Sequence, residues 1–366
     1  MAISGQGLMI AVPVLAADAP EPQAAQEAAV KIDIILEPDV TPARITELGL
    51  LAESHGINRI WVQNYSAARD CFLSLVPLAL ASKRIGIGVM VVSPWEMHPL
   101  KMANALLTLN EYSKGRAALC VGGGAEWNGI MGIPIARRVR AVREATELLK
   151  QACGERKVSS YKGEMYKASH FSAAWASDVP PLIYTGAGQE QMIRMSATRA
   201  DGIVLSDAVP KFAAAAMGYV RASLPARAPS AGPFRVSNFW AWHVKADREA
   251  ALKEARRELI IRSWLSPHHI GSFMSAEDCS YIQAHKAAFI TAWRDRSGDI
   301  KGVPQRIIDA LIEGITTTGD PGEMDRHIAR LREFKAAGLD ELALRLHDDP
   351  ADAIALIGRH VVPAFQ

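Results

Sequence analysis

The segment KIDIILEPD, residues 31–39, decides between the two common kinds of α/β fold. Its apolar, β-rich first part predicts a buried strand from Lys31 to Glu37. A doubly wound open sheet usually places a glycine-rich, phosphate-binding turn directly after its first strand. Here Glu37-Pro38-Asp39 follows instead. The chain therefore favours a different arrangement of parallel strands.

Seven further strands are predicted downstream, and stretches with helical spacing of apolar residues separate them. They run from Arg59 to Asn64, Ile85 to Val92, Ala117 to Val121, Pro181 to Thr185, Gly202 to Ser206, Arg235 to Val244 and Glu341 to Leu346. Parallel strands joined by helices produce this alternation. Eight strands in total predict an α/β protein of the (β/α)8, or TIM barrel, class.

Composition excludes several kinds of partner. The chain has 366 residues, 41 Lys+Arg against 39 Asp+Glu, and a net charge of +2. This balance, without long basic runs, lacks the positive charge that nucleic acids and anionic membranes attract. No apolar run reaches about 18 residues, so no membrane span is predicted. The four cysteines form no CxxC pair, and His268-His269 has no third ligand at short spacing, so no metal site is predicted.

The first thirty residues allow two interpretations. An apolar run from Gly7 to Ala16, followed by small residues, resembles a cleaved secretory signal. No Lys or Arg precedes Lys31, however, so the basic start of such a signal is missing, and an unstructured extension from a mis-assigned start codon is the alternative. We expect residues 1–30 to be a leader or extension, the barrel to occupy residues 31–366, and the protein to be cytoplasmic.

Two stretches interrupt the alternation of strands and helices, at residues 154–178 and 265–303. The first is polar and aromatic, and the second contains the His268-His269 pair and Trp293. Long insertions in a barrel commonly lie at the end where the strands finish, and there they shape the pocket. We expect both to be pocket walls at the carboxyl-end face, with surface elaboration or an oligomer contact as the alternative.

Two glycine-rich turns follow predicted strands. Gly122 and Gly123, with Gly124, end the fourth strand, and three glycines let a backbone approach a flat or phosphorylated ligand closely. After the fifth strand, Gly186, Ala187, Gly188 and Gln189 open a helix and offer backbone amides to a phosphate. Either turn taken alone could be a tight strand-to-helix connection. Together they favour a phosphorylated cofactor.

Other strand ends carry polar or aromatic side chains. The segment SPWEMHP, residues 93–99, must bend across the barrel end because each proline restricts the residue before it. His98 could bind a ligand there or cap the helix that begins at Pro99. Trp95 could stack on a flavin ring or pack in the protein. Ser206 ends the sixth strand at a pocket-facing position, and Asp207 is expected to cap the next helix.

Several segments, in order along the chain, carry a resemblance to a known superfamily. They are AESHGINRIWV (52–62), RIGIG (84–88), HP (98–99), SKGRAALCVGGG (113–124), PLIYTGAG (181–188), ADG (200–202), TGDPGEM (318–324) and AGLDEL (337–342). The match extends from about Lys31 to about Leu346. On these residues the chain resembles the bacterial-luciferase-like oxidoreductases, and within them most closely the deazaflavin-dependent methylenetetrahydromethanopterin reductases.

The resemblance implies a barrel that binds FMN or the deazaflavin coenzyme F-420 without a covalent bond. In that interpretation the amides of Gly186, Ala187, Gly188 and Gln189 hold the cofactor phosphate. The cofactor-binding set also contains Asn64, Ser93, Trp95, His98, Gly122, Gly123 and Ser206. Glu37 and Tyr65 are the expected catalytic residues, and Trp95 is a further candidate on the substrate side.

This chain departs from the family pattern at two places. The acidic residue that the family carries on the first strand lies a few residues before Glu37, where this chain is apolar. The Asp-His pair that commonly follows the tryptophan of the second strand is Asn64-Tyr65 here. An uncharged pair can hydrogen-bond a ring edge but cannot supply the same ionic contact. The substrate contacts are therefore expected to differ.

The resemblance predicts an oxidoreductase that transfers a hydride between a flavin-type cofactor and a small organic substrate, such as a pterin-bound one-carbon unit. One alternative is an FMN-dependent monooxygenase, and another is a non-catalytic flavin-binding protein, since a fold alone does not establish function. The sequence does not distinguish FMN from coenzyme F-420. A homodimer that binds a small-molecule substrate, without nucleic acid or membrane partners, is expected from the same resemblance.

Overall fold

The computed structural model describes residues 29–124 and 126–366. The interpretation of the N-terminal leader therefore falls outside the described residues, apart from its last two. The strands in the described part are β1 (Lys31–Leu36), β2 (Arg59–Gln63), β3 (Gly86–Val92), β4 (Ala117–Val121), β5 (Lys157–Lys162), β6 (Lys167–Ser172), β7 (Leu182–Gly186), β8 (Gly202–Ser206), β9 (Arg235–Val244), β10 (Thr316–Gly319) and β11 (Glu341–Arg345).

Helices fill most of the connections between these strands. They are α1 (Pro42–Ser54), α2 (Val76–Ala81), α3 (Pro99–Tyr112), α4 (Glu126–Ile130), α5 (Arg138–Gly154), α6 (Glu190–Arg199), α7 (Pro210–Ser223), α8 (Arg248–Glu258), α9 (Pro267–Ile270), α10 (Ala276–Ala284), α11 (Lys286–Arg294), α12 (Gln305–Ile315), α13 (Met324–Ala337), α14 (Pro350–Leu356) and α15 (Val362–Ala364). In the described part of the chain, no helix is both long and apolar enough to cross a membrane.

Eight parallel strands close into a barrel. The order around it is β1, β2, β3, β4, β7, β8, β9 and β11, and β11 pairs with β1 to complete the circle. These are the eight strands expected from the sequence, so the (β/α)8 prediction is confirmed. The short strand β10 was not predicted, and it pairs in parallel with the end of β9 outside the ring.

The core has an inner and an outer layer because successive side chains of a strand point to opposite faces. In β2, Trp61 belongs to the small apolar group inside the barrel. Its neighbours Ile60 and Val62 pack outward, in the large cluster between strands and helices. A parallel sheet buried on both faces requires this continuous apolar character.

Charged side chains occupy the amino end of the barrel interior. Arg59 Nη1 lies 3.1 Å from Asp33 Oδ2 and 3.7 Å from Glu341 Oε2. The Trp61 indole donates to Asp33 at 2.9 Å, and the Tyr184 hydroxyl donates to Glu341 at 2.9 Å. Four strands are therefore connected at the end opposite to the predicted site.

The first insertion, predicted at residues 154–178, is the antiparallel hairpin β5–β6. It follows α5, and its turn returns along that helix because the buried Glu144 carboxylate accepts hydrogen bonds from three turn amides, at residues 164, 165 and 166. The Tyr166 hydroxyl then donates to the Pro94 carbonyl at 2.8 Å. The hairpin turn therefore reaches the loop that follows β3.

The second insertion, predicted at residues 265–303, contains α9, α10 and α11 between β9 and β11. Its apolar side chains, among them Leu265 and Phe289, form a cluster of their own with residues of α8 and α12 and with Leu259. Val209, just before α7, belongs to the same cluster. The insertion is therefore anchored beside the end of β8.

Candidate functional site

The predicted site residues follow the ends of six neighbouring strands of the barrel. Since all eight strands are parallel, these ends meet at one face, which we call the mouth of the barrel. Glu37 follows β1, Asn64 and Tyr65 follow β2, and Ser93 follows β3. The glycine-rich turns follow β4 and β7, and Ser206 ends β8.

Glu37 is held by two side chains at the end of the chain's last barrel strand, one from its last residue and one from just beyond it. Arg345 Nε lies 2.8 Å and His347 Nδ1 lies 2.9 Å from Glu37 Oε1. Burial acts to raise the pKa of Glu37, but Arg345 and His347 outweigh it and hold that pKa well below its ordinary value. Glu37 is therefore an ionised carboxylate at neutral pH.

The proton of His347 can be located from its neighbours. Arg262 Nη2 approaches His347 Nε2 at 3.4 Å, and a guanidinium group has donors but no acceptor. His347 Nε2 must therefore accept, which leaves the ring proton on Nδ1, toward Glu37. Arg345 thus donates hydrogen bonds to the Glu37 carboxylate, and His347 Nδ1 lies 2.9 Å from the same carboxylate.

A second histidine stacks on the first. The rings of His243 and His347 are 4.8 Å apart with an interplanar angle of 14°. His243 Nδ1 also lies 2.8 Å from Glu254 Oε1. Burial lowers the pKa of His243 to about 4, despite the opposing effect of Glu254. His243 is therefore neutral at physiological pH and supports His347 by packing.

Tyr65, the other predicted catalytic residue, lies near the same arginine. Its hydroxyl interacts electrostatically with Arg345, whose pKa is raised chiefly by Glu37 against the effect of burial. The structure therefore brings Glu37 and Tyr65 together around one guanidinium. Their catalytic roles stay a prediction.

A second carboxyl group at the mouth has neutral partners. Glu96 Oε1 accepts from Asn64 Nδ2 at 2.6 Å and from the Ser93 amide at 2.9 Å. Burial raises the pKa of Glu96, although these two hydrogen bonds act in the opposite direction. Asn64, predicted to contact a cofactor, also donates to the Val91 carbonyl at 3.3 Å.

Ser93 and His98 both have structural partners. The buried Ser93 hydroxyl donates to Asn128 Oδ1 at 3.1 Å and accepts from the amide of the half-buried Trp95 at 3.2 Å. His98 is the N-cap of α3, and its Nδ1 accepts from the Leu100 amide at 3.2 Å. The capping interpretation of His98 is therefore confirmed, and any contact of these residues with a cofactor stays a prediction.

One exposed valine and two glycines lie together at the ends of β3, β4 and β7. The Val91 side chain is 42% exposed in a strand whose other residues are buried. A Cβ atom at Gly122 would lie 2.1 Å from Val91 Cγ1, and one at Gly186 would lie 4.0 Å from the same atom. Glycine is therefore required at 122 by the packing of Val91, and we call Val91, Gly122 and Gly186 the ring hollow. Gly123 has Arg138 as its nearest side chain, 3.4 Å from its Cβ position.

The turn at residues 186–189 leaves some amides free. The Ala187 amide donates to the Val204 carbonyl at 3.1 Å, so the expectation that it holds a phosphate is wrong. Within the described residues, the amides of Gly188 and Gln189 have no hydrogen-bond partner, and Gln189 gives α6 no side-chain cap. Free amides at a helix start are suited to an anion. We call residues 186–189 the amide turn.

The second insertion brings His269 to this turn. Its Nε2 is 4.0 Å from the Cβ position of Gly188, and its ring lies 5.5 Å from that of Phe212. Burial lowers the pKa of His269, with Asp207 opposing and His268 adding to that effect. In the part of the chain that the structure describes, no group of three or more His, Cys, Asp or Glu side chains could hold a metal ion.

Residues 262–265 cross the mouth, and we call them the strap. The backbone φ angles of Ser263, Trp264 and Leu265 are 46°, 54° and 48°, values that residues other than glycine rarely adopt. The Asp207 carboxylate accepts from the Ser263 amide at 3.1 Å and from Arg262 at 3.3 Å. Asp207 therefore does not cap α7, whose N-cap is Val209, and that expectation is wrong.

The strap also involves the predicted pocket residue Ser206. The Ser206 carbonyl accepts from the Ser263 hydroxyl at 3.1 Å, while its own hydroxyl donates to Asp207 at 3.2 Å. Trp264 is 57% exposed at this point of the strap. Ser206 thus lies at the mouth, as expected from the end of a barrel strand.

Sequence reasoning missed Arg345, His347, Arg262 and Glu96. The first two lie at the end of the last barrel strand, where barrels commonly carry functional side chains. Their position in the sequence could therefore have identified them. Glu96 was equally visible as the acidic residue in the turn after β3. Arg262 had no such signal, because it reaches the mouth only through the fold of the second insertion.

Comparison with known proteins identifies the family of this chain. The family model described as luciferase-like monooxygenase matches residues 12–341. A 5,10-methylenetetrahydromethanopterin reductase of Archaeoglobus fulgidus is 27% identical over 340 residues, which cover 92% of this chain and 100% of that protein.

Solved structures share the fold. A coenzyme F-420-dependent tetrahydromethanopterin reductase of Methanopyrus kandleri superposes with a TM-score of 0.78 at 22% identity, covering 93% of this chain and 100% of that one. An F-420-dependent secondary alcohol dehydrogenase in complex with an F-420–acetone adduct gives 0.72 at 17% identity, with 92% and 99% covered. The FMN-bound oxygenating constituent of a type II Baeyer–Villiger monooxygenase from Pseudomonas putida gives 0.64 at 17% identity, also with 92% and 99% covered.

Proposed function

This chain belongs to the luciferase-like monooxygenase family, and from that premise we propose that it transfers a hydride between a flavin-type cofactor and a small organic substrate. The full-length relative from Archaeoglobus fulgidus is a methylenetetrahydromethanopterin reductase, which supports a deazaflavin reductase in particular. Among the superposed structures the two F-420-dependent enzymes have higher TM-scores than the FMN-bound one. The deazaflavin coenzyme F-420 is therefore the first candidate cofactor.

The observation that carries this proposal is the combination of the ring hollow with the amide turn. The turn has two free amides and the uncapped start of α6, so it fits a phosphate group. The ring hollow beside it presents the exposed Val91 and two glycines without side chains, an apolar face against which a flat ring could pack. A phosphorylated ring cofactor would occupy both at once.

The protein residues then bind and orient the reactants, and the bound deazaflavin supplies the two-electron hydride chemistry. The amides of Gly188 and Gln189 would hold the phosphate. Val91 would support one face of the ring. Glu37 and Arg345 would orient the substrate by charge and hydrogen bonds, with Tyr65 beside them.

The substrate class follows from the same residues and from the relative. We propose a pterin-bound one-carbon unit, because its ring edge has both donors and acceptors for Glu37 and Arg345. The uncharged Asn64-Tyr65 pair gives this chain a different second contact from the Asp-His pair of the resembled reductases. This difference is compatible with a substrate that is related to, but not the same as, the pterin of those reductases.

FMN-dependent oxygenation is the second candidate. Its specific support is the fold shared with an FMN-bound monooxygenase, whose cofactor also carries a phosphate. The amide turn would accept either phosphate, so the turn does not separate the two cofactors. Binding and turnover must decide between them, and also test the alternative of a non-catalytic flavin-binding protein.

The deciding experiment is a fluorescence titration of the apo-protein with coenzyme F-420 and, separately, with FMN. We expect binding of the deazaflavin at micromolar concentration or below. Gly188→Asp, which places a negative charge in the amide turn, should weaken binding at least tenfold. Space exists for this side chain, since only His269 Nε2 is near the Cβ position. Gly218→Asp, on an exposed face of α7, is the matched control and should bind as the wild type.

The same ring compound without its phosphate tests whether the amide turn acts through the phosphate. It should bind more weakly than the phosphorylated form to the wild type, and Gly188→Asp should not weaken it further. Preferential binding of FMN with oxygen-dependent turnover would move the monooxygenase to first place. Binding of neither cofactor would contradict the proposed function.

We also propose that the enzyme acts as a homodimer in the cytoplasm, without nucleic acid or membrane partners. The support is the family resemblance and a net charge near zero. Light scattering after size-exclusion chromatography measures the mass of the particle. A monomeric mass at micromolar concentration would contradict the dimer.

A further inference from the structure

Three carboxyl groups at the mouth differ in the charge of their partners. Glu37 is paired with Arg345, and Asp207 is paired with Arg262 at 3.3 Å. Glu96 has no ion pair with any residue of the described ranges 29–124 and 126–366. Its partners are the Asn64 amide and the Ser93 backbone N–H, both uncharged. A carboxyl without a neighbouring cation keeps a proton more readily than one beside arginine.

The geometry around Glu96 leaves one oxygen available. Both hydrogen bonds fall on Oε1, and Oε2 accepts none from the described residues. The Asn64 side chain that contacts Oε1 also contacts the Val91 carbonyl, at 3.3 Å. The carboxyl therefore lies next to the ring hollow, and its second oxygen can carry a proton.

We propose that Glu96 is the acid–base residue of the hydride-transfer reaction, giving a proton to the substrate during reduction and taking it back during oxidation. This inference rests on the proposed function, because it uses the same pocket. The proton of the reaction then comes from a residue in the turn after β3. The first-strand glutamate of the resembled family cannot supply it, since that position is apolar in this chain.

The substrate considered is a pterin in which a methylene group bridges two nitrogens. The Glu96 proton passes to one nitrogen as the bond between that nitrogen and the methylene carbon breaks, and the bond's electron pair stays on the nitrogen. A bound reduced deazaflavin would supply, by its own two-electron oxidation, the hydride that forms the new C–H bond at the electron-poor carbon. The substrate would become an N-methyl amine, and Glu96 would be left as a carboxylate.

The partners of Glu96 suit both states of that cycle. The N–H groups of Asn64 and Ser93 stabilise the carboxylate after the proton has left. The Cys71 thiol interacts electrostatically with Glu96, and its pKa is raised to about 12, chiefly by burial, so it stays neutral at physiological pH. Water at the mouth can return the proton to Glu96 after product release.

The test compares wild type with Glu96→Gln, whose amide oxygen can keep both hydrogen bonds. Deazaflavin binding, measured by fluorescence, should not change. Turnover of methylenetetrahydromethanopterin with reduced F-420 should fall about 100-fold, a typical contribution of general acid catalysis. The wild-type kcat should decline as pH rises through the Glu96 pKa, and the variant should lose that limb. Asp39→Asn, at an exposed position after β1, is the control and should keep both rate and profile.

A second measurement does not depend on turnover. Infrared difference spectra of the apo-protein between acid and neutral pH should contain a protonated-carboxyl band that titrates above the ordinary glutamate pKa and is missing in Glu96→Gln. A variant with the wild-type rate and pH profile, or a spectrum without that band, overturns the proposal. Failure of the wild type to bind F-420 would instead contradict the proposed function, and the infrared band would still decide the state of Glu96.

Discussion

At the scale of single residues, the charge of the mouth is set by partners that are distant in sequence. Glu37 and Arg345 are separated by 308 positions but meet at 2.8 Å. Glu37 keeps 27% of its side chain exposed while Arg345 keeps only 5%, so the arginine is the group that depends on the pairing. An unpaired guanidinium at that depth is costly, because little water reaches it. The Glu37 carboxylate is therefore expected to contribute to stability as well as to binding.

We predict that Glu37→Gln lowers the free energy of unfolding by about 2 kcal/mol at pH 7, since it leaves the buried Arg345 without its main counter-charge. The folded-state pKa of Glu37 is lowered, so its stabilisation is present above the ordinary value of 4.5 and is lost as pH falls through the lowered value. Urea unfolding at pH 7 and at pH 4 should therefore give a larger difference from wild type at pH 7.

The control for this prediction is Asp39→Asn, in the same turn but exposed. It should change the unfolding free energy by less than about 0.5 kcal/mol. An equal loss in Glu37→Gln at both pH values would show that the effect is not the charge of Glu37.

Residue-level prediction from sequence was possible where the strand end alone decides position. Glu37 was expected at the mouth, and it lies 2.8 Å from Arg345. Its catalytic role and that of Tyr65 stay predictions. Prediction failed where a backbone group was already used, as with the Ala187 amide, whose acceptor is a carbonyl on the neighbouring strand. Such pairing depends on strand register, which a motif of glycines does not contain.

At the scale of elements, the eight barrel strands could be read from the sequence because each is a short apolar run bounded by turns. The conformation of the strap could not be predicted from the sequence. Three consecutive left-handed residues without glycine cost about 1–2 kcal/mol each, so local preference argues against them. They persist because Asp207 binds the strap from the end of β8. Strain of this kind is concentrated at functional sites, and here it fixes Trp264 at the rim of the mouth.

We predict that Asp207→Asn loosens the strap. Asparagine has the same size and tolerates the positive φ of 49° at this position. The change removes the negative charge and replaces one of the two acceptor oxygens with an NH2 donor, so the hydrogen bonds from Arg262 and Ser263 to this side chain weaken. Hydrogen exchange of the amides at residues 262–266 should become about tenfold faster, which corresponds to roughly 1.4 kcal/mol, while exchange in β1 to β4 should not change.

Asp349→Asn is the matched control, because Asp349 also has a positive φ, of 60°, but is 77% exposed. It should leave exchange in the strap unaltered. Equal protection of residues 262–266 in wild type and Asp207→Asn would mean that the apolar packing of Leu265 holds the strap without the carboxylate.

At the scale of the whole molecule, the barrel separates stability from function along its axis. The mouth contains the ring hollow, the amide turn and the strap, whereas the amino end contains the cluster of Asp33, Arg59 and Glu341. The alternation of elements predicted the closed barrel, and therefore which strand ends would share a face. It could not predict the amino-end cluster, because Glu341 joins Asp33 and Arg59 only when β11 closes against β1.

We predict that Arg59→Met destabilises the barrel by about 4 kcal/mol at pH 8, because two buried carboxyls then lose their shared cation. Burial and Asp33 already raise the pKa of Glu341, against the opposing effect of Arg59. Without Arg59 the pKa of Glu341 rises further, so Glu341 binds a proton more readily as the pH falls, and urea unfolding should show a smaller loss at pH 5 than at pH 8. Cofactor affinity should stay at the wild-type value, since the cluster lies opposite the mouth.

Arg44→Met removes an exposed pair with Glu47 and should cost less than about 0.5 kcal/mol. A loss of cofactor binding in folded Arg59→Met would contradict this separation of stability at one end from binding at the other.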